Sequence, residues 1–163
     1  MLHPLHRRRG WDPRICEIVP KLKESMVPML EDKDAIRELM HRYCFCMDEG
    51  RFAELASLFA DDGVWSAPYR TATGPAAIEA WLTQSVPPTP KRMHYVMNSV
   101  VAVAGMKATA RSNYLVMVEG PDGPVPSVCG TYADAYTKTP DGWRFQRREL
   151  IHSFKGEMRL QLP

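Results

Sequence analysis

Apolar residues recur along the chain at Ile36, Leu39, Met40, Tyr43 and Met47, the i, i+3, i+4, i+7 stripe of a helix with one buried face. Asp32 or Asp34 suits the cap at its start, and Gly50 suits its stop. A second, short helix is predicted from Phe52 to Phe59, with Leu55, Leu58 and Phe59 on one side, before Asp61-Asp62-Gly63 turns the chain into a strand at Val64–Trp65. Gly74-Pro75 opens a third helix, because proline is preorganised for the first helical position. Ile78, Trp81 and Leu82 form its apolar side, and Pro87-Pro88-Thr89-Pro90 ends it.

From Lys91 onward the pattern changes to β-branched runs broken by turn signals, which predicts strands joined by hairpins. Four are expected, at 93–104, 108–119, 125–137 and 143–153, separated by Gly105-Met106-Lys107, Pro121-Asp122-Gly123-Pro124 and Thr139-Pro140-Asp141-Gly142. Three helices followed by consecutive long strands predict an α+β domain in which helices cover one face of a curved antiparallel sheet. The domain is expected over 31–155, with residues 1–30 as an N-terminal extension and 156–163 as a tail.

Charge changes this picture little. Residues 1–24 carry six bases against three acids, which leaves the remaining 139 residues at −1 of the formal +2 total. A nearly neutral body lacks the gathered basic surface that nucleic acid requires, so no nucleic-acid partner is expected. Cys16, Cys44, Cys46 and Cys129 form no zinc spacing, and Cys44-x-Cys46 on a helix points two thiols to different sides, so no metal is expected. The Arg7-Arg8-Arg9 cluster leads into Gly-Trp-Asp-Pro-Arg rather than an apolar run, and no stretch approaches a membrane span. The expectation is a cytoplasmic protein with no membrane partner.

A phosphate loop, a dinucleotide fingerprint, a zinc-protease helix and a nucleophile elbow are all missing, so no cofactor is expected. What remains is polar residues in apolar surroundings. Asp48 lies about 120° around the first helix from Ile36, at the margin of the stripe, and sits slightly unfavourably against the helix dipole. It faces either solvent beside Glu49 or the interior. His94 shares a strand face with Val96 and Asn98, and reads as a core histidine or a general base. Strict alternation puts Arg148 with Arg144 and Gln146, opposite Trp143 and Phe145, unless a bulge changes the parity. Tyr43, Tyr114 and Tyr132 read as core rings or as pocket hydroxyls, and His152 is a weaker candidate on the last strand.

The ordered set Asp34-x-Ile36 through Arg42-Tyr43, Asp48-x-Gly50-Arg51-Phe52, Leu58 to Trp65, His94-Tyr95-x-x-Asn98 and Asp141-Gly142-Trp143 resembles the SnoaL-like branch of the nuclear transport factor 2-like superfamily over about residues 31–155. The resemblance implies a cone, in which a curved antiparallel sheet wraps around three N-terminal helices and encloses an apolar pocket. Among its members, the chain is most similar in look to the cofactor-independent lyases gamma-hexachlorocyclohexane dehydrochlorinase, scytalone dehydratase and bile-acid 7α-dehydratase. Their Asp–His dyad falls on Asp48 and His94, with Tyr43 and Arg148 at further catalytic positions and Tyr114, Tyr132, Asn98, Val96, Val116 and Trp65 in the substrate pocket. The implied activity is proton abstraction and elimination on a small hydrophobic cyclic or aromatic substrate. Isomerisation, polyketide cyclisation, C–C cleavage and a non-catalytic ligand-binding or accessory-subunit role are the alternatives within the same fold. A homodimer or homotrimer is implied as well.

Overall fold

The computed structural model describes the backbone of residues 13–155 and the side chains of 27–154. Arg7–Arg9, His3, His6, the Cys16 side chain and the tail 156–163 lie outside the described residues. By compactness the chain divides between Glu31 and Asp32, and the sheet, the two shorter helices and every site residue belong to the second unit.

Helix α1 runs over Pro13–Asp48. It therefore begins well before Asp32 and Asp34, and the expected cap is corrected. The Asp32 carboxylate serves a tertiary contact instead, accepting hydrogen bonds from Lys138 Nζ at 2.6 Å and Trp143 Nε1 at 2.9 Å. The apolar stripe is buried as its spacing requires, from Ile36 through Met47. Gly50 ends the helix at φ 69°, and the Arg51 amide reaches back to the Cys46 carbonyl, the closure favoured by a left-handed glycine.

Helix α2 is Phe52–Ser57, and Phe59 already opens strand β1 (Phe59–Ala67). Asp61-Asp62-Gly63 is thus an irregularity within a strand rather than a turn before one. Gly63 is needed there, since a Cβ would lie 2.8 Å from the carbonyl oxygens of Ala60 and Phe145. A short strand β2 (Arg70–Thr73), absent from the sequence reading, pairs back onto β1. Helix α3 is Pro75–Ser85, with Ile78 and Leu82 buried.

Strands β3 (Arg92–Ala104), β4 (Lys107–Gly120), β5 (Gly123–Thr139) and β6 (Gly142–Lys155) fall where the alternation predicts them. The sheet order is β2-β1-β6-β5-β4-β3. The expected antiparallel sheet is corrected in one respect, because β1 runs parallel to β6 and makes the sheet mixed. The result is an α+β cone whose curved, unclosed sheet faces the helices. Extra residues in β3, β5 and β6 produce bulges, and each bulge bends the sheet and exchanges the faces beyond it.

Two bulges decide where chemistry lies. Met97 faces Asn113 while Val100 faces Arg111, so β3 carries one extra residue at the point where Asn98 adopts φ 47°. Phe145 faces Tyr136 while Arg147 faces Ala135, so Gln146 is extra in β6. Beyond Gln146 the parity reverses, and Arg148 turns inward on the same side as Trp143 and Phe145.

Candidate active site

The inward positions of the four long strands form rungs across the concave face. Val96, Tyr114, Gly130 and His152 are paired in one rung, and His94 pairs with Val116 in the next. On α1, the stripe turns Tyr43 and Met47 toward the same space. Of these, Tyr43, Met47, His94, Tyr114, Val116 and His152 line a cavity of about 740 Å³, together with Trp65 from β1 and Trp81, Leu82 and Val86 at α3. This is the size and largely apolar character of a site for a small organic ligand.

Asp48 is the last residue of α1, and both of its oxygens are committed to the start of β3. Oδ2 accepts the His94 backbone amide at 2.8 Å, and Oδ1 lies 2.5 Å from His94 Nδ1. Two hydrogen bonds offset the mild cost of an acid at a helix C-terminus. In a neutral imidazole, donation from Nδ1 to Asp48 leaves Nε2 as the acceptor. The His94 side chain is 12% exposed and lines the cavity, whereas Asp48, at 15%, stands behind it and borders a separate surface cleft.

Tyr43 accepts a hydrogen bond from Trp65 Nε1 at 2.9 Å. Burial raises its phenol well above the usual range, while the nearby Arg148 charge and the Trp65 hydrogen bond pull it down. Tyr114 stacks on Tyr132, with centroids 4.2 Å apart and planes at 15°.

Arg148 does not line the cavity. Its side chain and that of Asp134 have 0% exposure, with Nε donating to Oδ1 at 3.0 Å and Nη2 to Oδ2 at 2.7 Å. The Tyr136 hydroxyl donates to the same Asp134 oxygen at 2.8 Å. The guanidinium lies 4.2, 4.1 and 4.3 Å from the ring centroids of Tyr43, Tyr132 and Phe145, so three aromatic faces enclose it. Burial opposes its charge, but the Asp134 carboxylate holds its pKa above the ordinary arginine value.

Tyr43, Trp65, His94, Tyr114, Val116 and Tyr132 all reach the cavity wall. Val96 packs beneath them against Tyr114 and Val116. Asn98 is corrected: the bulge at its positive φ exposes it, in an outer groove with Val100, Arg111 and Asn113. The sequence reading missed Asp134, although it alternates in phase with Tyr132 and Tyr136 on a buried strand face and so had a visible signal. It also missed Tyr69 and Trp81, which join the wall through the β1–β2 connection and α3. Among the described residues, no group of three or more His, Cys, Asp or Glu side chains is arranged to hold a metal, and no helix is long and apolar enough to cross a membrane.

Comparison with known proteins agrees with this architecture. The chain is 33% identical over 145 residues to the uncharacterized protein Rv2910c of Mycobacterium tuberculosis strain H37Rv, covering 84% of this chain and 97% of the relative. A nuclear transport factor 2-like protein with a cystatin-like fold from Novosphingobium aromaticivorans superposes with a TM-score of 0.74 at 30% identity, over 80% of this chain and 89% of the other. A candidate scytalone dehydratase from the same organism superposes with a TM-score of 0.69 at 28% identity, over 81% and 91% of the two chains. Residues 28–149 match the SnoaL-like domain. The chain belongs to the SnoaL-like domain family of the nuclear transport factor 2-like superfamily.

Proposed function

We propose that the protein is a cofactor-independent lyase that removes a proton from a small hydrophobic cyclic or aromatic substrate and expels a β leaving group. The observation that carries this reading is the Asp48–His94 hydrogen bond, which leaves Nε2 as the acceptor of a histidine in the wall of an apolar cavity. The similarity to a candidate scytalone dehydratase supports it.

In the proposed step, His94 Nε2 takes the proton from a C–H acidified by a neighbouring carbonyl or aromatic group. The C–H electron pair becomes the new C=C bond, and the C–O or C–halogen bond breaks with its pair leaving on oxygen or halide. Asp48 stabilises the imidazolium across the 2.5 Å contact. A departing hydroxide recovers the proton from His94 as water, while a halide leaves it to be lost to solvent. Trp65 occupies the Tyr43 oxygen as a donor, so the phenol proton is available for the leaving group. Arg148 acts through Tyr43, whose ring it underlies, as a positioning charge rather than a catalytic residue.

The test is turnover of cyclic β-hydroxy ketones and related halides, followed by the absorbance of the conjugated product. Loss of activity in both His94→Ala and Asp48→Asn is expected. Unchanged turnover in either would sink the mechanism and favour a ligand-binding cone.

A further inference from the structure

Tyr114 is a buried phenol. It has 2% exposure, lines the cavity, and its hydroxyl has no hydrogen-bond partner among the described residues. Phenylalanine would fill the same space without stranding a polar group, since buried hydroxyls ordinarily find partners. The ring is held from one side by the parallel stack on Tyr132. The position directly opposite on β5 is Gly130, which has no side chain that could bond the hydroxyl. That glycine is compulsory, because a Cβ there would meet the Ile151 carbonyl oxygen at 2.0 Å.

Register places Tyr114 one diagonal step from His94. His94 pairs with Val116 and Val96 with Tyr114, so His94 and Tyr114 are diagonal inward neighbours on adjacent strands, about 7–8 Å apart at the backbone. A ligand lying over both presents one edge to a proton acceptor and the next to a proton donor.

From this placement we infer that Tyr114 donates a hydrogen bond to the carbonyl or phenol oxygen of a planar, oxygenated ring substrate, making that oxygen the feature by which the cavity selects its ligand. For the chemical step after binding, the inference rests on the lyase reading. There, a donor on a carbonyl oxygen acidifies the adjacent C–H and stabilises the enolate that His94 generates. Burial raises the phenol of Tyr114, assisted by Tyr69 and Cys129, and keeps it a donor at neutral pH.

The experiment compares 1-tetralone with its deoxy analogue tetralin, read by quenching of the cavity tryptophans Trp65 and Trp81 in the full chain. The ratio of tetralone to tetralin affinity is expected to fall about tenfold from wild type to Tyr114→Phe, with tetralin binding unchanged. A ratio that stays within about twofold, or a wild type that binds neither probe, overturns the inference. The carbonyl stretch of tetralone bound to wild type supplies a readout that needs no variant. A shift to lower frequency than in cyclohexane is expected, and an unshifted band overturns the assignment. Turnover that survives His94→Ala removes the lyase reading while leaving Tyr114 as the selecting donor, and a ratio indifferent to Tyr114→Phe removes the donor while leaving the base.

Discussion

Two carboxylates on the concave side of this molecule each hold a nitrogen base, and their surroundings separate their roles. Asp48 and His94 join the end of a helix to the start of a strand, keep some exposure, and set the His94 side chain in the wall of a cavity. Asp134 and Arg148 face each other on β5 and β6, have no exposure, and are sealed by Tyr43, Tyr132 and Phe145. The first pair puts an imidazole ring in the cavity wall. In the second, Nε and Nη2 of Arg148 bond Asp134, Nη1 has no partner among the described residues, and aromatic rings cover the guanidinium, so the pair is fixed away from the cavity wall.

The sharpest way to break this contrast is to remove one member of the sealed pair. Arg148→Met leaves the Asp134 charge buried with only Tyr136 to meet it and should cost about 3–5 kcal/mol of stability by urea unfolding. Arg148→Met combined with Asp134→Leu should recover most of that loss, because no charge is then stranded. A single variant within about 1 kcal/mol of wild type would show that the pair is not the buried anchor described.

His94→Ala should do the opposite, lowering kcat by about 10² to 10⁴ while moving stability by about 1 kcal/mol or less. A large stability loss with little change in turnover would reverse the roles assigned to the two pairs. Tyr43→Phe lies between them. It removes a leaving-group donor and strands the Trp65 indole N–H, so about tenfold in kcat and about 1–2 kcal/mol in stability are expected, measured on the same samples.

The smallest effect belongs to Asp32, whose carboxyl is held below its usual value, mainly by the hydrogen bond from Lys138, with burial opposing and Trp143 and the Lys138 charge assisting. A depressed folded-state pKa gives stability that is present above the unfolded value near 3.8 and disappears as pH falls through the folded value. Asp32→Asn should therefore cost less than about 1 kcal/mol at pH 7, given the partial exposure of Lys138, and nothing at low pH. Urea titrations at pH 7 and pH 3 check the sign.

Much of the site was legible residue by residue. The helical stripe of α1 placed Tyr43 inward, and alternation on β3 placed His94 and Val96 together, because burial of one face leaves a short-range period in the sequence. The same alternation failed at Asn98 and left Arg148 open, since one inserted residue in each strand reverses every side chain beyond it. Asp32 failed as a helix cap for a related reason: a capping residue type is equally suited to accept bonds from Lys138 and Trp143, more than a hundred positions away.

The types of the long elements, the helix stop at Gly50 and the run of four long strands after α3 were settled by local chemistry, in which each residue answers to neighbours a few positions away. Folding in three dimensions settled the parallel seating of β1 on β6, the inward turn of Arg148 onto Asp134, the Asp48–His94 contact and the buried, unpartnered hydroxyl of Tyr114. Those features arise between residues brought together from different strands and helices, where packing, bulges and the pairing of buried charges outweigh local preference.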